Sequence, residues 1–149
     1  MKKNTSHAEK KKVKEELSGG RVAVGDIDWK ADLFWATQDL YQIEKHMYYT
    51  IGMLFVGKDS IWCISKHLLG ACGQGFEVAT KLFHMGNEKL ATMFVNDSMT
   101  LHDIFFGLTE LSKKDKETKF KVYVNILKEV RLMRARWLKV LKGEKVEEV

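Results

Sequence analysis

The chain of 149 residues has no proline. Proline removes an amide donor and collides with the preceding turn of a helix, so its absence leaves long helices unobstructed. Cysteine is almost as scarce: Cys63 and Cys72 are the two thiols. Nine positions apart on one helix, they face different sides and bridge poorly, and no ligand-type spacing accompanies them. That argues against a disulfide framework and a zinc finger, and makes a reducing, cytoplasmic location the default expectation. No apolar run reaches the roughly 20 residues of a membrane helix, because charged or strongly polar side chains interrupt each one, so no membrane partner is expected. The N-terminus is basic with no apolar segment behind it, unlike a signal peptide. Glu-x-x-His, the strong mark of a di-iron bundle, occurs nowhere in the sequence. GACGQG at 70–75 lacks the preceding strand and the Gly-Lys-Ser/Thr of a phosphate loop, and no serine nucleophile motif is present.

What the chain does have is helical periodicity. From Asp28 to Phe55, Leu33, Thr37, Leu40, Met47, Ile51 and Leu54 recur at three- and four-residue spacing, the period of one buried helix face. Ser60 to Met85 repeats the pattern through Ile61, Ile64, Leu68, Cys72, Gly75, Ala79 and Leu82, with Asp59 as cap and Gly86 as stop. Its central glycines point to close packing by a neighbour, a kink, or room for a ligand. Glu88 to Leu111 carries Leu90, Phe94, Leu101, Ile104, Phe105 and Leu108, capped by Asn87. Lys113 to Leu141 carries Phe120, Tyr123, Leu127, Val130, Trp137 and Leu141, with Ser112 and Asp115 resembling a capping box. Short turns force neighbouring helices to run antiparallel. The expectation is an all-α fold: an antiparallel up-down-up-down four-helix bundle over 26–143, a basic flexible tail over 1–25, and a frayed tail over 144–149. The first helix has an alternative break near Gly52.

Two acids are out of place. Glu44 sits in the apolar stripe of the first helix and Asp97 in that of the third. A carboxylate there is costly unless paired or protonated. Counting 1.5 Å per residue from the turns puts Glu44, Asp97 and Cys72 at one height, with Arg131 and Arg134 of the last helix slanting toward them and Tyr48 and Tyr123 lower down. In one arrangement the acids form a buried ion-pair network with Arg131 or Arg134, which is structural. In the other they line a cavity and bind a metal or a polar ligand, with His67 and His102 as weak additional metal ligands. His46 and His84 read as surface histidines.

The charge is uneven. Residues 1–21 hold seven basic and three acidic side chains, residues 22–112 six and eleven, and residues 113–142 eleven and three. This pattern fits either an anionic partner or a basic helix packed on an acidic body. Lys121, Lys128, Arg136 and Lys139 fall on or near the outer side of the last helix. Two arginines of RLMRARW turn inward, which ranks nucleic acid below self-association as a partner. Trp29, Trp35, Trp62, Trp137, Tyr49 and Phe106 spread beyond the main stripes, and Trp62, Met99 and Phe106 fall on outer faces. A second buried surface follows, most simply that of a homodimer. The functional expectation is an intracellular binding or assembly protein of unidentified ligand. The alternatives are a metal- or small-ligand-binding bundle, catalytic if a substrate can enter, and a small basic nucleic-acid-associated protein.

Overall fold

A computed structural model of the chain describes residues 26–146. The expected basic tail and the last three residues lie outside the described residues. Helix α1 spans Asp26–Gly52, α2 Ile61–His84, α3 Glu88–Glu110 and α4 Lys116–Leu141, and no strand occurs among the described residues. The helices form an antiparallel bundle in which α1 packs on α2 and α4, and α2 packs on α3. The backbones of α3 and α4 do not approach closely, and Phe94 and Trp137 pack against each other between them.

The turns differ from the simplest reading of the sequence. α1 ends at Gly52 and the chain continues as a 3-10 turn, Leu54–Val56, rather than as α-helix to Phe55. α2 starts one residue later than expected. Asp59 still accepts its first amide, Ile61 N–H, at 3.2 Å, and Thr50 Oγ1 accepts Ser60 N–H at 2.9 Å. A second 3-10 turn, Leu111–Lys113, precedes α4. Asp115 alone caps that helix, accepting Thr118 N–H at 2.6 Å from an extended backbone, so the expected Ser112 cap is not used. Asn87 caps α3 through Leu90 N–H, as expected.

α2 and α4 both stop in Schellman turns. Gly86 (φ 85°) and Gly143 (φ 77°) take the left-handed conformation, and the amides of Asn87 and Glu144 return to the carbonyls of Leu82 and Lys139. The second turn directs 144–146 back over the bundle end, where fraying was expected, and Val146 packs against the core.

The core contains Leu33, Leu40, Ile43, Met47, Ile64, Leu68, Phe94, Leu101, Met133 and Trp137, each almost fully removed from water. Most of the stripe residues point inward as the periodicity implies. Phe120 is an exception at 43% exposure, and Ile126, Met133 and Val140 take the core positions on α4 instead. Close packing explains Gly75, because a Cβ there would overlap Ser98 Oγ and lie 3.0 Å from the Trp137 ring. Gly70 leaves room for the Asp39 carboxylate in the same way.

Candidate functional site

α1 aligns Tyr41, Glu44 and Tyr48 on the flank that faces α4, because steps of three and four residues return to one side of a helix. Arg131 and Arg134 obey the same rule on α4. The Glu44 carboxylate is buried and accepts from Arg134 Nε, with Arg134 Nη2 at 3.5 Å from its second oxygen. Arg131 Nε adds a longer contact at 3.7 Å. The two tyrosines hold the guanidinium groups in place. Arg134 lies over the Tyr41 ring at 5.5 Å, and Arg131 Nη1 donates to the Tyr48 hydroxyl at 3.1 Å.

Asp97 has different partners. Trp137 Nε1 donates to one carboxylate oxygen at 2.7 Å and Arg136 Nη2 to the other at 2.8 Å. The indole is fully buried and packs on Phe94 with ring centroids 5.2 Å apart. A buried indole needs an acceptor, and Asp97 is that acceptor. The expectation that Arg131 or Arg134 serves both acids is corrected: Glu44 and Asp97 share no hydrogen-bond partner. Arg136, expected on or near the outer side, turns to α3. It lies two residues from Arg134, which is about 200° around the helix, so one arginine reaches α1 and the other α3.

The other predicted site residues are dispersed. Cys72 is buried, its thiol pushed up by burial, and it bonds to neither acid. Tyr123 is buried, and the pKa of its hydroxyl is raised by burial and then by the charge of Asp59. His67 Nδ1 meets Asp39 Oδ1 at 2.7 Å, and its ring stacks on His46 at 5.8 Å. Burial, then His67 and then Lys45 lower the His46 pKa. His102 is exposed and packs edge-on against Phe106. Among the described residues no group of three or more His, Cys, Asp or Glu side chains is placed to hold a metal ion.

Where α3 and α4 stand apart, a cleft of ≈ 880 Å³ opens beside the Asp97–Arg136 pair, lined also by Trp29, Leu90, Met93, Val140 and Val146. Periodicity did not show this cleft or the roles of Arg136 and Trp137. The adjacency of Arg136 and Trp137 in the sequence was the available signal, since both need an acceptor when they turn inward.

Chemically, both buried carboxylates are engaged by N–H donors, Glu44 by Arg134 and Asp97 by Arg136 and Trp137. Comparison of the chain with protein-family models, curated proteins and solved structures returns no significant match. Function is therefore read from the side chains alone.

Proposed function

We propose that the chain is a binding and assembly protein that acts as a homodimer in the cytoplasm, with its acid–arginine pairs serving as structure. The observation that supports this reading is the surface. Trp62, Met99 and Phe106 are 75%, 54% and 55% exposed, and further aromatic and aliphatic side chains accompany them at helical spacing. Single exposed apolar residues are ordinary, whereas rows of them mark a surface that another molecule covers. Sedimentation equilibrium from low to high micromolar concentration is expected to show a dimer. A monomer throughout that range rejects the proposal.

A second reading, a small-ligand-binding bundle, is supported by the cleft. Its volume lies in the range of about 300–1,000 Å³ usual for ligand pockets, and it combines an apolar wall with the Asp97–Arg136 pair. Octanoate, an apolar chain with an anionic head, is the probe: it should raise the unfolding temperature of the wild type and not of Met93→Trp. A metal-binding form of this reading, through Glu44 and Asp97, is tested by elemental analysis of protein purified without added metal. The nucleic-acid reading ranks last because the three arginines of RLMRARW are bonded to carboxylates or to a tyrosine. Submicromolar RNA or DNA affinity that weakens steeply with salt would promote it.

A further inference from the structure

α2 has two apolar faces. One builds the core. The other points outward and consists of Trp62, Leu69, Phe76 and Phe83, which are 75%, 46%, 38% and 58% exposed. Each is seven residues from the last, a spacing that drifts only about 20° per step around a helix, so the four form a stripe along nearly the whole of α2. Lys66, Gly73 and Thr80, all exposed, fall between them and complete the four-three alternation of a coiled-coil seam.

The stripe is symmetric in position. Trp62 and Phe83 lie at equal distances from its centre, as do Leu69 and Phe76, and the centre falls between positions 72 and 73, with Gly73 the exposed residue beside it. Gly70 and Gly75 have packing reasons within the chain, but a Cβ on Gly73 would meet nothing within 4 Å. A glycine in a helix interior is destabilising, and its use at the middle of an exposed apolar stripe fits a backbone that another helix must approach.

We propose that α2 pairs with α2 of a second copy, antiparallel, about a two-fold axis beside Gly73, between positions 72 and 73; this rests on the self-association proposed above. The arrangement sets Trp62 against the partner's Phe83 and Leu69 against the partner's Phe76, with the two glycines flanking the dyad about 1.5 Å apart along the axis. Charge selects the antiparallel sense. Lys66 and Glu77 lie on the same flank of the stripe, and Glu77 has no ion-pair partner among the described residues. Antiparallel pairing brings Lys66 within about 4 Å, measured along the axis, of the partner's Glu77, and the reverse pair forms by symmetry. Parallel pairing sets lysine against lysine.

The exposed parts of the four stripe residues amount to roughly 450 Å² per copy, taking aromatic side chains at 150–250 Å² each. Two copies, with Met99 and Phe106 of α3 added, approach the total of about 1,200 Å² at which specific interfaces begin.

The test uses the full chain. Phe76→Glu should weaken dimerisation at least 100-fold in sedimentation while leaving the helical circular dichroism unchanged, since Phe76 faces out of the bundle. With Cys63 replaced by serine, Gly73→Cys should form an intermolecular disulfide under mild oxidation. In the same background Leu69→Cys and Phe76→Cys should link to each other when mixed and not to themselves. Self-linking of Leu69→Cys overturns the antiparallel sense. A dimeric wild type that stays equally dimeric as Phe76→Glu, with no link at position 73, overturns the α2 seam and leaves self-association standing. A monomeric wild type at high micromolar concentration overturns both.

Discussion

Replacing Asp97 measures how much of the bundle depends on the one side where two backbones stay apart. Between α3 and α4 the polar contacts of Asp97 with Arg136 and Trp137, and the packing of Phe94 on Trp137, bridge the gap. Asp97→Leu removes both hydrogen bonds and leaves the Trp137 N–H buried without an acceptor. Breaking a deeply buried ion pair costs about 3–5 kcal/mol. The Arg136 side chain is 26% exposed and can turn to water, which favours the lower end of that range. The orphaned indole adds about 1–3 kcal/mol, because its N–H loses water and gains nothing. A total of about 4 kcal/mol is therefore expected for Asp97→Leu. Asp97→Asn keeps an oxygen for the indole and loses only the charge opposite Arg136, so about 1–2 kcal/mol is expected. Urea unfolding followed by helical circular dichroism, at fixed protein concentration because self-association adds to apparent stability, gives both numbers. If Asp97→Leu falls within 1 kcal/mol of the wild type, or equals Asp97→Asn, the pair does not hold α3 to α4 and this account of the interface is wrong.

The Glu44 cluster predicts an unequal pair of arginines: Arg134→Met should cost about 2–3 kcal/mol, because a buried carboxylate loses its closest partner, and Arg131→Met less than about 1 kcal/mol, because its side chain is 59% exposed. Equal losses in urea unfolding would contradict that order. Gly75→Ala should destabilise by about 1–3 kcal/mol despite alanine's better helix propensity, since the methyl group meets Ser98 and Trp137; a gain in stability would show that this contact relaxes freely. The lowered pKa of His46 means that the folded chain resists its protonation, so between that lowered value and about 6.5 the unfolded chain binds more protons and stability rises with pH. Urea midpoints measured from pH 5 to 7.5 should rise through that window, and His46→Gln should flatten the rise; an unchanged slope in the variant would remove His46 as the cause.

Much of the fold was legible because burial imposes a period. The four stripes located the four helices, Asn87 and Gly86 marked ends, and Glu44 and Asp97 stood out as acids on apolar stripes. Trp62, Met99 and Phe106 read as outward and are exposed. The misplaced side chains share a physical origin. A stripe gives a helix's own phase to within a residue or so, but not its rotation against a neighbour. Arg136 was therefore placed on or near the outer side, and Arg131 or Arg134 was assigned to both acids. Phe120 was placed inside for the same reason, since Ile126, Met133 and Val140 set a different phase for α4. The α3–α4 cleft was invisible for another reason: the separation of two helices depends on the volume of every side chain between them.

The division of the arginines has a rotational consequence. A helix with a broad apolar face can roll about its own axis over its neighbours with little change in buried area, so apolar contacts alone orient it weakly. In α4, Arg134 faces an acid on one neighbour and Arg136, about 200° away, faces an acid on another. A roll in either direction pulls at least one guanidinium from its carboxylate and strands that carboxylate in the interior. The two pairs thus act as a key against twisting: they fix the angular setting of α4, and with it the side of the bundle on which the cleft opens.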